Sequence, residues 1–229
     1  MTWLDGGALA FFLAVWILLS WLIDKSPWHK HTLSAAMKFQ RREWMRQMAG
    51  RQVRLVDANI ITGLQQATSF FASTALLAVG AGFALLTAAD TIIGVFEESF
   101  AHLQIDRATF YMKTAFLMSL YAYAFFKFGW AYRLFNYSAV MLAATPEAGE
   151  PGAEEAAAAV AEMNIAAAGQ FTHGLRAFFL AIAVLAWFIT WWGFVIATSV
   201  IVLALANRQF NSRARFVTQD VMARMKGKT

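Results

Sequence analysis

The residues able to bind or catalyse are few, and most of them fall in polar stretches between long apolar runs. Arg51, Arg54 and Asp57 follow one another at three-residue intervals, which on a helix sets them along one side. Arg133 and Asn136 repeat that spacing, Tyr137 follows at once, and Arg176 stands near the start of a long apolar run. Guanidinium forks match carboxylates and phosphates, so two arrangements are open. One is a structural network in which Asp57 neutralises Arg54, Arg133 or Arg176. The other is an anion or headgroup pocket built from Arg54, Arg133 and Arg176. Lys127 is the cation set deepest in apolar sequence; it either snorkels to an interface or pairs with a lipid phosphate. Asp90 is the one carboxylate near the interior of an apolar run, and it reads as the exposed or capping end of a helix rather than part of an ion path.

The four histidines are His29, His31, His102 and His173. His29-x-His31 offers two nitrogens at i and i+2, but a zinc site needs at least one further ligand and none is indicated nearby. Haem ligation needs histidines on facing spans, and the apolar runs contain none. Cysteine is absent, which excludes disulfides, thiolate metal sites and cysteine nucleophiles. No Gly-x-Ser-x-Gly, His-Glu-x-x-His or phosphate-cradling glycine loop occurs. No catalytic, cofactor-binding or metal-ligating residue is therefore assigned, and the chain is not expected to be an enzyme.

The elements that carry these residues follow from hydrophobicity. Of 229 residues 59% are hydrophobic and only 14% charged, whereas a soluble domain carries roughly 25% charge. A soluble fold cannot hide that much apolar surface, and a bilayer accepts it. The formal net charge of +5 is better assigned to membrane topology than to nucleic acid. Residues 4–23 form a first span; no Lys or Arg precedes it, so it lacks the basic flank of a cleaved signal. Residues 24–66 carry eight Lys or Arg, with Met37, Trp44, Met48, Leu55 and Ile60 at near-helical spacing. That predicts amphipathic helix over 30–66, running without a break into a second span at 67–96. After a short turn at 97–107, a third span at 109–130 continues as helix to about residue 143. Two prolines and two glycines in 145–152 end it, and alanine-rich helix then climbs back through 153–174.

The apolar run 175–206 is too long for one crossing: as a single helix it would measure ~48 Å against a core of ~30 Å. Gly193 behind Trp191 and Trp192 suggests a turn at 190–193, giving spans 175–189 and 194–208. With the N-terminus outside, the eight-cation segment lies inside. A hairpin then returns the basic tail (Arg208, Arg213, Arg215, Arg224, Lys226, Lys228) to the same side. The alternative is that residues 175–188 pack in a cytoplasmic bundle and only the later part spans.

Six motifs, in order along nearly the whole chain, carry a family resemblance. They are Arg42-Glu43-Trp44-Met45, Arg51-x-x-Arg54-x-x-Asp57, Phe70-Phe71-Ala72-Ser73-Thr74, Phe125-Phe126-Lys127-Phe128-x-Trp130, Arg133-x-x-Asn136-Tyr137 and Gly174-Leu175-Arg176-Ala177-Phe178-Phe179. Together they resemble a family of bacterial and plant multi-span membrane proteins catalogued only as a domain of unknown function. The resemblance implies the architecture and no chemistry. The chain departs from that pattern at His173, where Asn is expected.

The expected fold is all-α: a single polytopic membrane helix bundle, residues 1–229, with long helices reaching into the cytoplasm and a C-terminal helical hairpin. The expected role is that of a structural, assembly or regulatory accessory protein of the cell membrane. It would bind partner proteins and anionic headgroups as a homo-oligomer or a subunit of a larger complex, using Arg51, Arg54, Asp57, Lys127, Arg133, Asn136 and Arg176. The alternative is a small oligomeric transporter or channel for an ion or small anion.

Overall fold

The computed structural model describes residues 3–99 and 106–226. Residues 100–105 of the expected turn, and Lys228 of the basic tail, lie outside them. Among the described residues the chain is helical throughout: α1 Trp3–Asp24, a 3-10 turn Pro27–His31, α2 Leu33–Ala49, α3 Leu55–Thr87, α4 Ala89–Ser99, α5 Arg107–Ala143, α6 Ala153–Trp187, α7 Trp191–Phe210 and α8 Arg213–Lys226. Four stretches, Trp3–Asp24, Leu55–Thr87, Ala153–Trp187 and Trp191–Thr218, are long and apolar enough to cross a membrane.

Local chemistry sets the ends. Thr32, Asp106 and Thr190 each turn a side-chain oxygen onto a first-turn amide, that of Ala35, Thr109 and Gly193 respectively, capping α2, α5 and α7. The linker after α5 turns at Gly149 and Gly152, both at positive φ (90° and 85°), where side chains are strained. Glu154 and Glu155 then sit in the first turn of α6, favourably placed on its dipole.

Two expected boundaries shift. The segment expected to run unbroken into the second span divides at Gly50, and α3 starts afresh at Leu55; the expected span 67–96 is in turn interrupted at Ala88. The hairpin is present, but the chain turns at 188–190, upstream of the tryptophan pair. Thr190 is the cap and Trp191-Trp192-Gly193 the first helical turn of α7. A Cβ on Gly193 would lie 2.6 Å from the Thr190 hydroxyl oxygen, so this glycine keeps the cap open instead of making the bend.

The antiparallel pair α5 and α6 forms the spine. Gly174 lies against the Phe128 ring, where a Cβ would approach to 2.6 Å, and Asn164 Nδ2 donates to Ser138 Oγ at 3.3 Å. Near the far end of the pair Lys113 reaches the Trp187 carbonyl. Around this spine the core falls into layers. At the Asp5 end, Phe12 of α1, Trp187 of α6 and Phe194 of α7 stack with ring centroids 4.9–5.2 Å apart. A middle layer joins Ala75, Ala124, Phe128 and Ala177. At the other end Met45 and Met48 of α2 meet Ile61, Leu142 and Val160. Along α3 the fully buried positions Ile61, Thr68, Ala75 and Gly82 recur every seven residues, which keeps one side of the helix on a partner.

Candidate functional site

Asp57 is fully buried in the first turn of α3, yet its partner is none of the three arginines expected. It accepts from Arg51 Nη1 at 2.5 Å and from the Trp44 indole at 2.7 Å. The break at Gly50 makes this possible: it lets the chain double back, so that Trp44 near the end of α2 and Arg51 in the connection both face Asp57. Arg54 instead donates to the carbonyl oxygens of Thr145 and Pro146, both at 2.5 Å, tying α3 to the chain just after α5. Asn136 accepts from Gln65 at 2.6 Å, a further α3–α5 link.

Arg133 points away from this network. It bonds Tyr137 Oη at 2.5 Å and lies over the Trp130 and Tyr137 rings, all on α5 itself. Arg176, only 4% exposed at its side chain, forks onto Asp24 at 2.5 and 2.9 Å, and His173 lies 3.2 Å from the same carboxylate. Since Gly174 packs on Phe128 while Arg54 holds Thr145, Arg176 and Arg54 are separated by ~25 Å along α5. The expected pocket of Arg54, Arg133 and Arg176 is therefore not assembled. Arg54 and Arg176 each tie different parts of the chain together, and Arg133 stays on its own helix.

A second polar layer gathers near Arg176. Lys127 donates to Gln170 at 3.1 Å and lies over the Tyr123 ring. Beside it opens a cavity of about 460 Å³ between the end of α1, the 3-10 turn, α2, α6 and the end of α7. Asp24, His29, Ser34, Lys38, Arg41 and Arg176 are among the residues lining it. Arg41 Nη1 donates to the amide oxygen of buried Asn164, which in turn donates to Ser138; among the described residues Arg41 forms no salt bridge. Burial pushes its pKa down from the ordinary guanidinium value, because nothing anionic offsets the lost hydration. His29, the first of the two histidines spaced i and i+2, bonds the Ser26 carbonyl through Nδ1. No group of three potential ligands for a metal ion occurs among the described residues.

The apolar end holds a charged site that sequence reasoning passed over. Asp5, 8% exposed, accepts from the Trp187 indole at 2.9 Å and lies 3.4 Å from Lys113 Nζ. Lys113 also donates to the Trp187 carbonyl at 2.8 Å and sits over its ring. Lys113, not Lys127, is thus the cation enclosed in apolar surroundings, its side chain 13% exposed. Asp90, by contrast, is exposed and bonded to Arg107. The available signal was Lys113 itself, a lone cation in the first half of the third apolar run.

An all-helical bundle with four membrane-length apolar helices and charges spent on inter-helix ties defines the class: a helical bundle of membrane-protein composition. Within it, the chain belongs to the family described as "Protein of unknown function, DUF599", whose pattern matches residues 7–214. No curated protein and no solved structure matches the chain.

Proposed function

We propose that the chain is a multi-pass protein of the cell membrane that works without catalysis, as a structural, assembly or regulatory subunit binding partner proteins and anionic lipid headgroups. The observation that carries this reading is the level at which charge gathers. From Arg107 to Lys127, α5 rises ~30 Å, the thickness of a hydrocarbon core. At that level Asp24, Lys127, Gln170, His173 and Arg176 form a belt on α1, α5 and α6. On the Asp5 side of the belt large apolar side chains face outward, Leu77 and Leu203 being 75% and 68% exposed, as lipid contact requires. In this reading α5, flanked by α3 and α6, is a fifth crossing.

Beyond the belt α2 and the inner parts of α3, α5 and α6 form a cytoplasmic bundle. The N-terminus lies outside and the C-terminal tail inside, because the eight cations of 24–66 fall on the belt's far side and positive segments stay in the cytoplasm. A reporter fused after Thr229 should be active only inside the cell; activity only outside would refute the topology. Purification in mild detergent with mass spectrometry of bound proteins and lipids tests the accessory role, which an isolated, lipid-free monomer would contradict.

A second reading, a small oligomeric transporter for an ion or small anion, draws on the enclosed Asp5–Lys113 pair, since buried charges among spans often line ion paths. Ion flux into vesicles containing the purified protein, abolished by Lys113→Met in a protein that still folds, would favour it.

A further inference from the structure

We infer that the cavity between the end of α1, α2 and α6 is a binding site for a phosphate anion, carried either by an anionic lipid headgroup or by a free phosphate. Its lining holds three permanent cations, Lys38, Arg41 and Arg176, against one carboxylate, Asp24. That carboxylate is already engaged by Arg176 and His173, so the lining holds two more cations than carboxylates.

Arg41 is the centre of the argument. It is a largely buried guanidinium held through Nη1 by Asn164, which Ser138 fixes in turn; Asn164 and Ser138 are fully buried, and this neutral amide is the only polar partner of Arg41 among the described residues. Protein interiors pair buried cations with anions. A cation held in place by neutral groups beside open space is arranged to receive an anion from outside. Arg176, though paired with Asp24, keeps a buried Nε with no hydrogen-bond partner among the described residues. Lys38, one turn before Arg41 on α2, is exposed at the same cavity. A volume of about 460 Å³ falls in the range of small-molecule sites and admits a phosphate with its glycerol or sugar substituent. Guanidinium forks bind phosphate bidentately and lysine serves as a point charge.

The site rests on the topology proposed above, which puts it at the cytoplasmic face, where anionic headgroups lie. The experiment uses the full chain in detergent. Native mass spectrometry compares phosphatidylglycerol with phosphatidylcholine of the same acyl chains, and calorimetry measures inorganic phosphate. Arg41→Gln and Lys38→Gln should each weaken binding by about tenfold, the loss expected for one charge-assisted contact. Lys38 is exposed, so its variant folds even if Arg41→Gln does not.

Selective phosphatidylglycerol binding that both variants weaken, with no calorimetric response to phosphate, identifies a headgroup site. Phosphate binding with the same sensitivity identifies a soluble ligand. Equal binding of the two lipids together with no phosphate binding overturns the inference, as does binding indifferent to Lys38→Gln. A C-terminal reporter active only outside, alongside phosphate binding that Lys38→Gln weakens, would remove the topology and leave the site standing.

Discussion

Asp5 and Asp57 lie at opposite ends of the bundle and are held by the same three components: a carboxylate, a tryptophan N–H and a cation. At Asp57 the indole is Trp44, 13 positions away, and the cation is Arg51, whose side chain is 43% exposed. At Asp5 the indole is Trp187, 182 positions away, and Lys113 is enclosed by apolar helices. One site clips α2 to the start of α3, neighbours in sequence. The other fastens the first helix to α5 and α6 across the whole chain. An exposed cation that loses its acid returns to water at little cost, whereas an enclosed one does not. The two sites should therefore differ in what they contribute to stability although their components match.

The largest effect expected is that of Lys113→Met, which takes the ammonium away from a carboxylate enclosed among apolar helices. A loss of about 3–5 kcal/mol should appear as a lowered unfolding midpoint in detergent, and adding Asp5→Asn should restore part of it. A double variant no more stable than the single one would show that the pair does not act as a unit.

Next comes Asp57→Ala, which takes the acceptor from a partly buried indole N–H while Arg51 rehydrates. About 1–3 kcal/mol should be lost, against almost nothing for exposed Glu147→Ala. Pairing Asp57→Asn with Arg51→Gln should recover part of the loss, where pairing it with a change at Arg133 or Arg176 should not. If Asp57→Ala costs as much as Lys113→Met, exposure of the cation is not what separates the sites.

Packing offers a third comparison within the apolar half. A Cβ on Gly82 would lie 2.2 Å from Met118 Cγ, while Gly80 faces open space. Gly82→Leu should cost about 1–3 kcal/mol, near the lower end because the methionine side chain can swing aside, and Gly80→Leu far less. A cost for Gly82→Leu matching that of Lys113→Met would make close packing, rather than the buried pair, the main constraint there.

The smallest effect belongs to Glu43, which hydrogen bonds from Arg46 and then Gln47 hold at a pKa of about 2, below its ordinary 4.5. Its folded value is depressed, so its contribution is complete above pH 4.5 and disappears as pH falls towards 2. Glu43→Gln should flatten the acid limb of a stability-versus-pH curve in that window and change the midpoint at pH 7 little, since Arg46 is exposed. An acid limb identical to that of the parent chain would show that the Arg46 contact does not persist in solution.

What could be read before the fold was known divides along the same line as the two carboxylates. Asp57 stood out because it is an acid among cations, and its burial followed from that setting; its partner did not, since the break at Gly50 that turns Arg51 inward has no strong sequence mark. Gly82, Ala78 and Thr74 are small residues spaced four apart along α3. The face Gly82 shares is nevertheless set by the seven-residue recurrence of Ile61, Thr68 and Ala75. Asp5 was hidden by its position at the edge of an apolar run, where a carboxylate passes for a solvated helix end.

Composition and periodicity alone determined that the chain is all-helical and that apolar helices of membrane length alternate with a basic amphipathic segment; they favoured a hairpin in the last apolar run and left a single span open. These are local properties, summed over neighbouring residues, and helix length against bilayer thickness decides them. Tertiary structure alone decided which charge meets which: Arg176 with Asp24, 152 positions away, Lys113 with Asp5, and Arg41 with Asn164 beside a cavity. Each helix turns about 100° per residue, so a side chain's partner depends on the rotation and register of two helices at once. Large apolar rings packing across α1, α5, α6 and α7 set that register, and no single segment encodes it.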